Sequence, residues 1–315
     1  MASILLATAM NKGLNLGLQL YEEGHIVKVC DTLPLPQRYN KLDLLLNPYS
    51  IIEQFDLVLI LDVSMTEVAE AAMRAKRLTL CGGKFAHLLS SDSAYYNAVM
   101  KNIDLVPGTG TATNQLSGWF QGESLILLQT HRLSRRMMEG ERGPDIGCSI
   151  IHTYTSEAEL PSNLPVRLFE ALNLAGYLGM VTFDLNDKNE ITSIYLGLAY
   201  MHTYTFLESC RNLFDTLYHI GGKAKLKPLR SEEVLGVSFF GTANYLNTIQ
   251  IEKEVEKHVH FHTEGMGCVT ARGSSLNECR RRVYRTLNRL NFNPEVMYRL
   301  DAGLERDSMG KKSYE

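Results

Sequence analysis

The sequence predicts an α/β protein that opens with a doubly wound domain and continues into two further α/β segments. Three observations carry this. Strand-length apolar runs alternate with helix-spaced runs over the first hundred residues, the β-α-β rhythm of an open, mostly parallel sheet. One of those runs, residues 55–61, is almost wholly apolar, as expected where both faces of a parallel strand are covered. From Asn114 the rhythm changes, and strand candidates are separated by a long basic-acidic stretch.

The elements follow in order. Residues 3–7 form a short apolar strand, and Leu14, Leu18 and Tyr21 then recur at helical spacing until Gly24. Residues 26–30 give a second strand ending at Asp31, residues 55–61 a third, 66–77 an alanine-rich helix and 78–81 a fourth strand. In the next segment residues 123–128 read as a strand, followed by the charged stretch 131–142. Gly143-Pro144-Asp145-Ile146-Gly147 reads as a loop, since Gly and Pro break regular structure. Residues 164–175 have helical spacing, 181–185 and 191–198 pair as strands across the turn 186–189, and 206–219 form one helix stopped by Gly221-Gly222. After a lysine-rich linker at 223–228, residues 234–240, 248–251 and 258–262 are strand candidates. Ser275 and Glu278 fit a capping box, and Leu276, Cys279, Val283, Leu287 and Leu290 mark one apolar helix face. The expected divisions are 1–112, 113–222 and 223–303, with a polar tail at 304–315.

Composition narrows the function classes. Of 315 residues, 45% are hydrophobic and 21% charged, ordinary values for a globular chain. A net charge of −3 gives no general grip on nucleic acid, and the short basic runs (Arg132, Arg135, Arg136 and residues 280–282) read as solvated faces. No apolar run reaches the roughly 20 residues that span a bilayer, and residues 4–7 are too short for a signal-peptide core. The six cysteines contain no CxxC pair, which argues against a zinc or thioredoxin-type site and for reduced thiols in a cytoplasm.

Several motifs together resemble phosphoribosylamine–glycine ligase, an ATP-grasp enzyme of purine synthesis. Gly140-Glu141-Arg142-Gly143-Pro144-Asp145-Ile146-Gly147 is similar to that family's D-G-D-x-G-P-N-T-G-G-M-G loop. Gln121-Gly122-Glu123-Ser124 resembles its G-x-E-x-S strand, and Gly176-Tyr177-Leu178-Gly179-Met180 its G-x-x-G-x-x segment. Residues 263–273, with Leu276, Tyr284 and Tyr298-Arg299-Leu300-Asp301-Ala302-Gly303, resemble T-x-G-G-R-V-L…G…L…Y…Y-R-x-D-I-G. The order is the family's and the likeness spans almost the whole chain. It implies a pre-ATP-grasp doubly wound domain, an ATP-grasp large lobe and a C-terminal α/β domain.

The departures bear on function. The family's small ATP lobe lies between its I-P-T segment, matched by Leu105-Val106-Pro107-Gly108-Thr109, and the G-x-E-x-S strand; here about a dozen residues separate the two, too few for a lobe. The K-A-D-G-x-A-x-G-K-G-V flap has no counterpart, so the large lobe is expected to be truncated, without its nucleotide clamp. The family strand V-L-E-F-N-x-R-x-G-D-P-E supplies magnesium oxygens; aligned on residues 191–205, its Glu falls on Leu196, its Asn on Leu198 and its Arg on Tyr200. Both leucines are expected to point to one face and pack as core. The first βα turn, G-S-G-G-R-E-H in the family, reads Ala7-Thr8-Ala9-Met10-Asn11-Lys12-Gly13, where Thr8, Asn11 and Lys12 still offer donors.

Other constellations are weighed against plainer readings. His258, His260 and His262 alternate on one strand face, a zinc or copper pattern that more often is a polar face near solvent; Glu264 and Cys268 are the nearest further ligands. Asp31 sits where a ribose ligand would be held, or simply ends a strand. Backbone amides of residues 143–147 could bind an anion or form a retained structural loop, and Arg299 with Asp301 could be an ion pair or touch a ligand. The expected ligand-binding set is Thr8, Asn11, Lys12, Arg142, Gly143, Pro144, Asp145, Gly147, Arg299 and Asp301, with no catalytic or metal residue and no cofactor, where the family would use ATP and magnesium. Three functions stay open: a degenerate relative that binds a small molecule or a protein, a divergent ligase joining glycine to an amine, or a purely structural protein. A homo-oligomer or protein partner fits the first and third; nucleic acid and membrane partners are not expected.

Overall fold

The computed structural model describes residues 1–109, 112, 114–155, 160–198, 200–222, 228–242, 249, 251–263, 265–290, 292 and 296–304. Five parallel strands form the first sheet: β1 (Ser3–Ala7), β2 (Ile26–Cys30), β3 (Asp43–Leu44), β4 (Leu57–Ile60) and β5 (Leu78–Leu80), in the order β3-β2-β1-β4-β5. Strand alternation explains why both faces are buried. Ile4 and Leu6 of β1, with Leu57 and Leu59 of β4, pack on Leu14, Leu16 and Leu20 of α1 (Leu14–Glu22). Leu5, Ala7, Val58 and Ile60 face the other way, onto Val68, Ala69 and Ala72 of α2 (Thr66–Arg74). The chain then leaves through α3 (Lys84–Ser91) and α4 (Ser93–Asn102), whose junction Asp92 caps α4 by accepting the amides of Ala94 and Tyr95.

The second sheet is antiparallel. It comprises β6 (Asn114–Phe120), β7 (Leu125–Met138), β8 (Arg142–Tyr154), β9 (Gly179–Leu185), β10 (Ile191–Leu196), β11 (Glu233–Phe240), β12 (Val259–Thr263) and β13 (Met266–Gly273), in the order β10-β9-β6-β7-β8-β11-β13-β12, with β14 (Met297–Tyr298) against β11. Four helices follow: α5 (Val166–Leu174), α6 (Tyr200–Ser209) and α8 (Leu276–Arg289) cover this sheet, and α7 (Leu213–Ile220) packs into the core with α1. Cys279, Val283, Leu287 and Leu290 on one face of α8 pack with Leu235, Val237 and Phe239 of β11, as the spacing predicts. Ser275 caps α8 by accepting the Glu278 amide, while the Glu278 carboxylate reaches back to Ser274.

Several expectations are corrected. Residues 143–147 are not a free loop but the start of β8, in a long hairpin with β7. Pairing there is irregular, with register shifts around Arg136, which accommodates the proline and the two glycines. The single helix expected at 206–219 is two, because Asn212 starts α7 by capping Asp215 and the Glu23 carboxylate accepts the amides of Leu213 and Phe214. The dozen residues between positions 109 and 121, where no strand is expected, hold β6, which lies between β7 and β9 inside the sheet. Across residues 222 and 223 the sheet is continuous, with β8 paired to β11. Residues 223–227, 248, 250 and 305–315, in the linker, one strand candidate and the tail, lie outside the described residues. Among the described residues no helix is long and apolar enough to cross a membrane.

Candidate functional site

The first βα turn is built from side chains that satisfy one another. Thr8, fully buried, donates its hydroxyl to the Lys12 carbonyl at 2.8 Å. Met10 and Asn11 take positive φ, and Gly13 (φ 71°) opens α1 in the left-handed region that favours glycine. The Asn11 amide, a donor that a phosphate would use, donates instead to the Asp31 carboxylate at 2.7 Å, and Asp31 also accepts the Leu33 amide. Asp31 is thus a strand-end turn residue. Lys12 Nζ lies 2.5 Å from Asp62. Burial alone would raise the Asp62 carboxyl, but hydrogen bonds from Lys12 and Ser64 outweigh it and hold the group below the usual range. Against this turn, Leu61, Leu198, Tyr204 and His262 leave a space of about 10 Å³, room for one water at most.

The sequence-selected hairpin residues serve a structural tie. Arg299, 4% exposed, grips Asp301 with two nitrogens at 2.7 and 2.6 Å. Its third nitrogen donates to the Arg136 carbonyl and the Glu141 carboxylate. Asp301 accepts the Gly140 amide, and the Asp145 carboxylate accepts the Gly147 amide, so the hairpin tip is folded onto β14 and the residues after it. Arg142 donates to the Glu139 carbonyl, while Gly143 gives its carbonyl to Arg136. Pro144 stands exposed beside them in β8. Two groups therefore emerge from the expected set. Thr8, Asn11 and Lys12 converge at one turn, and the other seven converge at a hairpin tie elsewhere.

The position where the resemblance would place magnesium holds no ligand atoms. Leu196 is 5% exposed, in a cluster with Ile194 and Phe183. Leu198 does not share its face, as the alternation of a strand predicted. Gly197 (φ 93°) turns the chain out of β10, and Leu198 packs instead with the core under α1. These residues do not fit a metal. The chain then enters α6, which lies over the sheet on a layer of buried polar groups. His131 hydrogen-bonds Ser117 and Thr153 (2.6 and 2.8 Å), His202 packs edge-on to it, and Gln129 donates to Ser209. Burial pushes His131 well down and His202 to about 4, so both rings are neutral. Among the described residues no group of three His, Cys, Asp or Glu side chains is placed to hold a metal.

The three alternating histidines separate in role. His262 faces the closed turn. His258 donates from Nδ1 to Glu208 at 2.5 Å, and the Thr270 hydroxyl donates to the same oxygen at 2.9 Å. His260 therefore donates from Nε2 to Thr270 (2.8 Å), with its ring stacked on Tyr204 at 4.4 Å. Burial would raise Glu208, yet His258 and its neighbours hold it below the usual range; burial takes His260 down to about 3.

His258, His260 and Glu208 form one wall of a cavity of about 350 Å³, which the sequence reading did not anticipate. It runs beside α1, from Asn15 to Glu22, against residues 253–260 and the end of α6. Lys41, Arg211, Lys253 and Lys257 are exposed at it, with Arg38, Arg230 and Arg272 deeper. Arg38 lies 3.5 Å over the Phe261 ring, a cation–π contact that pins its guanidinium. Seven Lys or Arg against three Glu line this space in a chain of net charge −3, so the cationic character is concentrated here. No local motif announces it, because its members come from positions 15 to 272.

No family model and no curated protein matches the chain. Solved structures do. Phosphoribosylamine–glycine ligase from Thermotoga maritima superposes with a TM-score of 0.70 at 13% identity, over 95% of this chain and 99% of that one. The ATPase subunit of phosphoribosylaminoimidazole carboxylase from Aquifex aeolicus gives 0.62 at 12% identity, over 92% of this chain and all (100%) of that one. N5-carboxyaminoimidazole ribonucleotide synthetase from Thermus thermophilus gives 0.61 at 12%, over 92% and 99%. At these identities the likeness speaks for the fold: this chain has the α/β fold of the ATP-grasp ligases.

Proposed function

We propose that the chain is a degenerate relative of phosphoribosylamine–glycine ligase that binds a small nucleotide- or phosphoribosyl-like molecule and has no ATP-dependent ligase activity. One observation carries the loss of ligase activity: the turn that would meet a phosphate is closed on its own carboxylates, Asn11 to Asp31 and Lys12 to Asp62. Phosphoryl transfer depends almost wholly on positioning and on charge stabilisation by cations and preorganised donors. A lysine spent on Asp62, an amide spent on Asp31 and leucines at the magnesium positions supply none of it. The test is ADP release by the pure protein with ATP, magnesium, glycine and phosphoribosylamine. We expect no glycine-dependent ADP; robust formation overturns the reading in favour of a divergent carboxylate–amine ligase.

A further inference from the structure

We propose that the cavity between α1 and the C-terminal half of the sheet is the binding site for a small organic phosphate bearing hydroxyl groups, such as a sugar phosphate or mononucleotide. This rests on the reading of the chain as a binding protein and adds the place and the chemistry. Size comes first: about 350 Å³ lies within the range of small-molecule sites and far above the 10 Å³ left at the closed turn.

Charge decides the class. Lys41, Arg211, Lys253 and Lys257 form no ion pair within 4 Å among the described residues, so their charges are not neutralised by neighbouring carboxylates. The deepest carboxylate, Glu208, is held through one oxygen, Oε1, by His258 and Thr270. Three lysines, Lys41 on one segment and Lys253 and Lys257 on another, act as point charges, which suits the three oxygens and near-double charge of a phosphate better than a planar carboxylate. On the α1 side the lining changes character. Leu18 gives an apolar surface and Glu22 a carboxylate that accepts from sugar hydroxyls, while Glu256 lies on the facing segment with Lys253 and Lys257. A ligand with a phosphate at one end and hydroxyls at the other matches both halves.

The experiment is calorimetric titration of the full chain with ribose 5-phosphate, AMP, inorganic pyrophosphate and citrate, at low and moderate salt. We expect saturable binding of ribose 5-phosphate or AMP, weakening as salt screens the lysines. Lys253→Gln with Lys257→Gln, both exposed, should weaken it at least about tenfold. The charge-matched control Lys101→Gln with Lys188→Gln, remote exposed lysines, should leave it unchanged. Absence of saturable binding tighter than about 1 mM overturns the proposal. So does equal affinity in the Lys253/Lys257 variant, or citrate or pyrophosphate binding as tightly as the organic phosphates. A silent cavity without glycine-dependent ADP release overturns this inference alone. Glycine-dependent ADP release overturns the underlying reading whatever the cavity binds.

Discussion

Arg299 shows what a single residue does for this fold. Its guanidinium is buried and saturated by Asp301, Glu141 and the Arg136 carbonyl, joining the end of β14 to a hairpin tip about 160 residues earlier. Removing one partner of a buried pair strands the other charge, a larger loss than the net worth of the pair. Arg299→Met should therefore cost roughly 3–5 kcal/mol, read from the urea midpoint. Burial would raise the Asp301 carboxyl, but Arg299 and the Gly140 amide hold it below its ordinary value. Its contribution is thus present above the unfolded carboxylate range and lost as pH falls through the folded one. The sequence placed Arg299 and Asp301 two residues apart, close enough to suggest an ion pair. It could not show Glu141 or Arg136 arriving beside them, because those contacts depend on how the long hairpin curls back.

At the scale of an element, the exit from β10 is the instructive case. Strand alternation alone puts Leu196 and Leu198 on one face. Gly197 breaks the alternation, so Leu196 joins the core with Phe183 while Leu198 closes the space near Lys12. The two substitutions that would restore the family's ligand types therefore act in different places. Leu196→Glu should destabilise by roughly 2–5 kcal/mol through lost packing, with a further penalty for the buried carboxylate. Leu198→Asn should cost less, since Leu198 is only partly buried. Urea unfolding of each single variant checks the order. The double variant should gain no magnesium-dependent ATP turnover, because the turn beside it remains closed by Asp31 and Asp62.

For the whole molecule, buried imidazoles set the response to acid. Burial lowers His131 well below its ordinary value, His202 and His262 to about 4 and His260 to about 3. In the unfolded chain these rings take up protons below about pH 6.5. The unfolded state then binds more protons than the native one, so stability falls as pH drops from about 6.5 towards 4. Each ring that stays neutral in the fold contributes a slope of up to about 1.4 kcal/mol per pH unit in that window. Below it, Glu208, Asp62 and Asp301, whose carboxyls are held low, add their own loss as they protonate. Melting temperature should decline between pH 7 and 4.5 without a plateau; a flat profile would mean that the native state takes up the same protons. The six buried cysteines do not bear on this, since none is disulfide-bonded and burial raises thiols such as Cys81 and Cys148 to about 12.

The sequence by itself determined four of the five strands of the parallel sheet and its two coats of helix, because residues 3–7 and 55–61 carry their burial in local alternation and composition. It also determined α8, whose apolar stripe and cap lie within one continuous stretch. It missed β3, β6, β8, β13 and β14; the half-polar β6 and β13 are stabilised by pairing with β9 and β11, which lie elsewhere in the chain. It read residues 143–147 as a loop because Gly and Pro usually break pairing, whereas a bulged hairpin accommodates them. Only the tertiary structure decided the sites. Whether Lys12 faces a ligand or Asp62, fifty residues on, is a matter of where β4 ends in space. The cationic cavity exists because α1, the end of α6 and residues 253–258 converge, and electrostatic potential follows distance in space rather than separation along the chain.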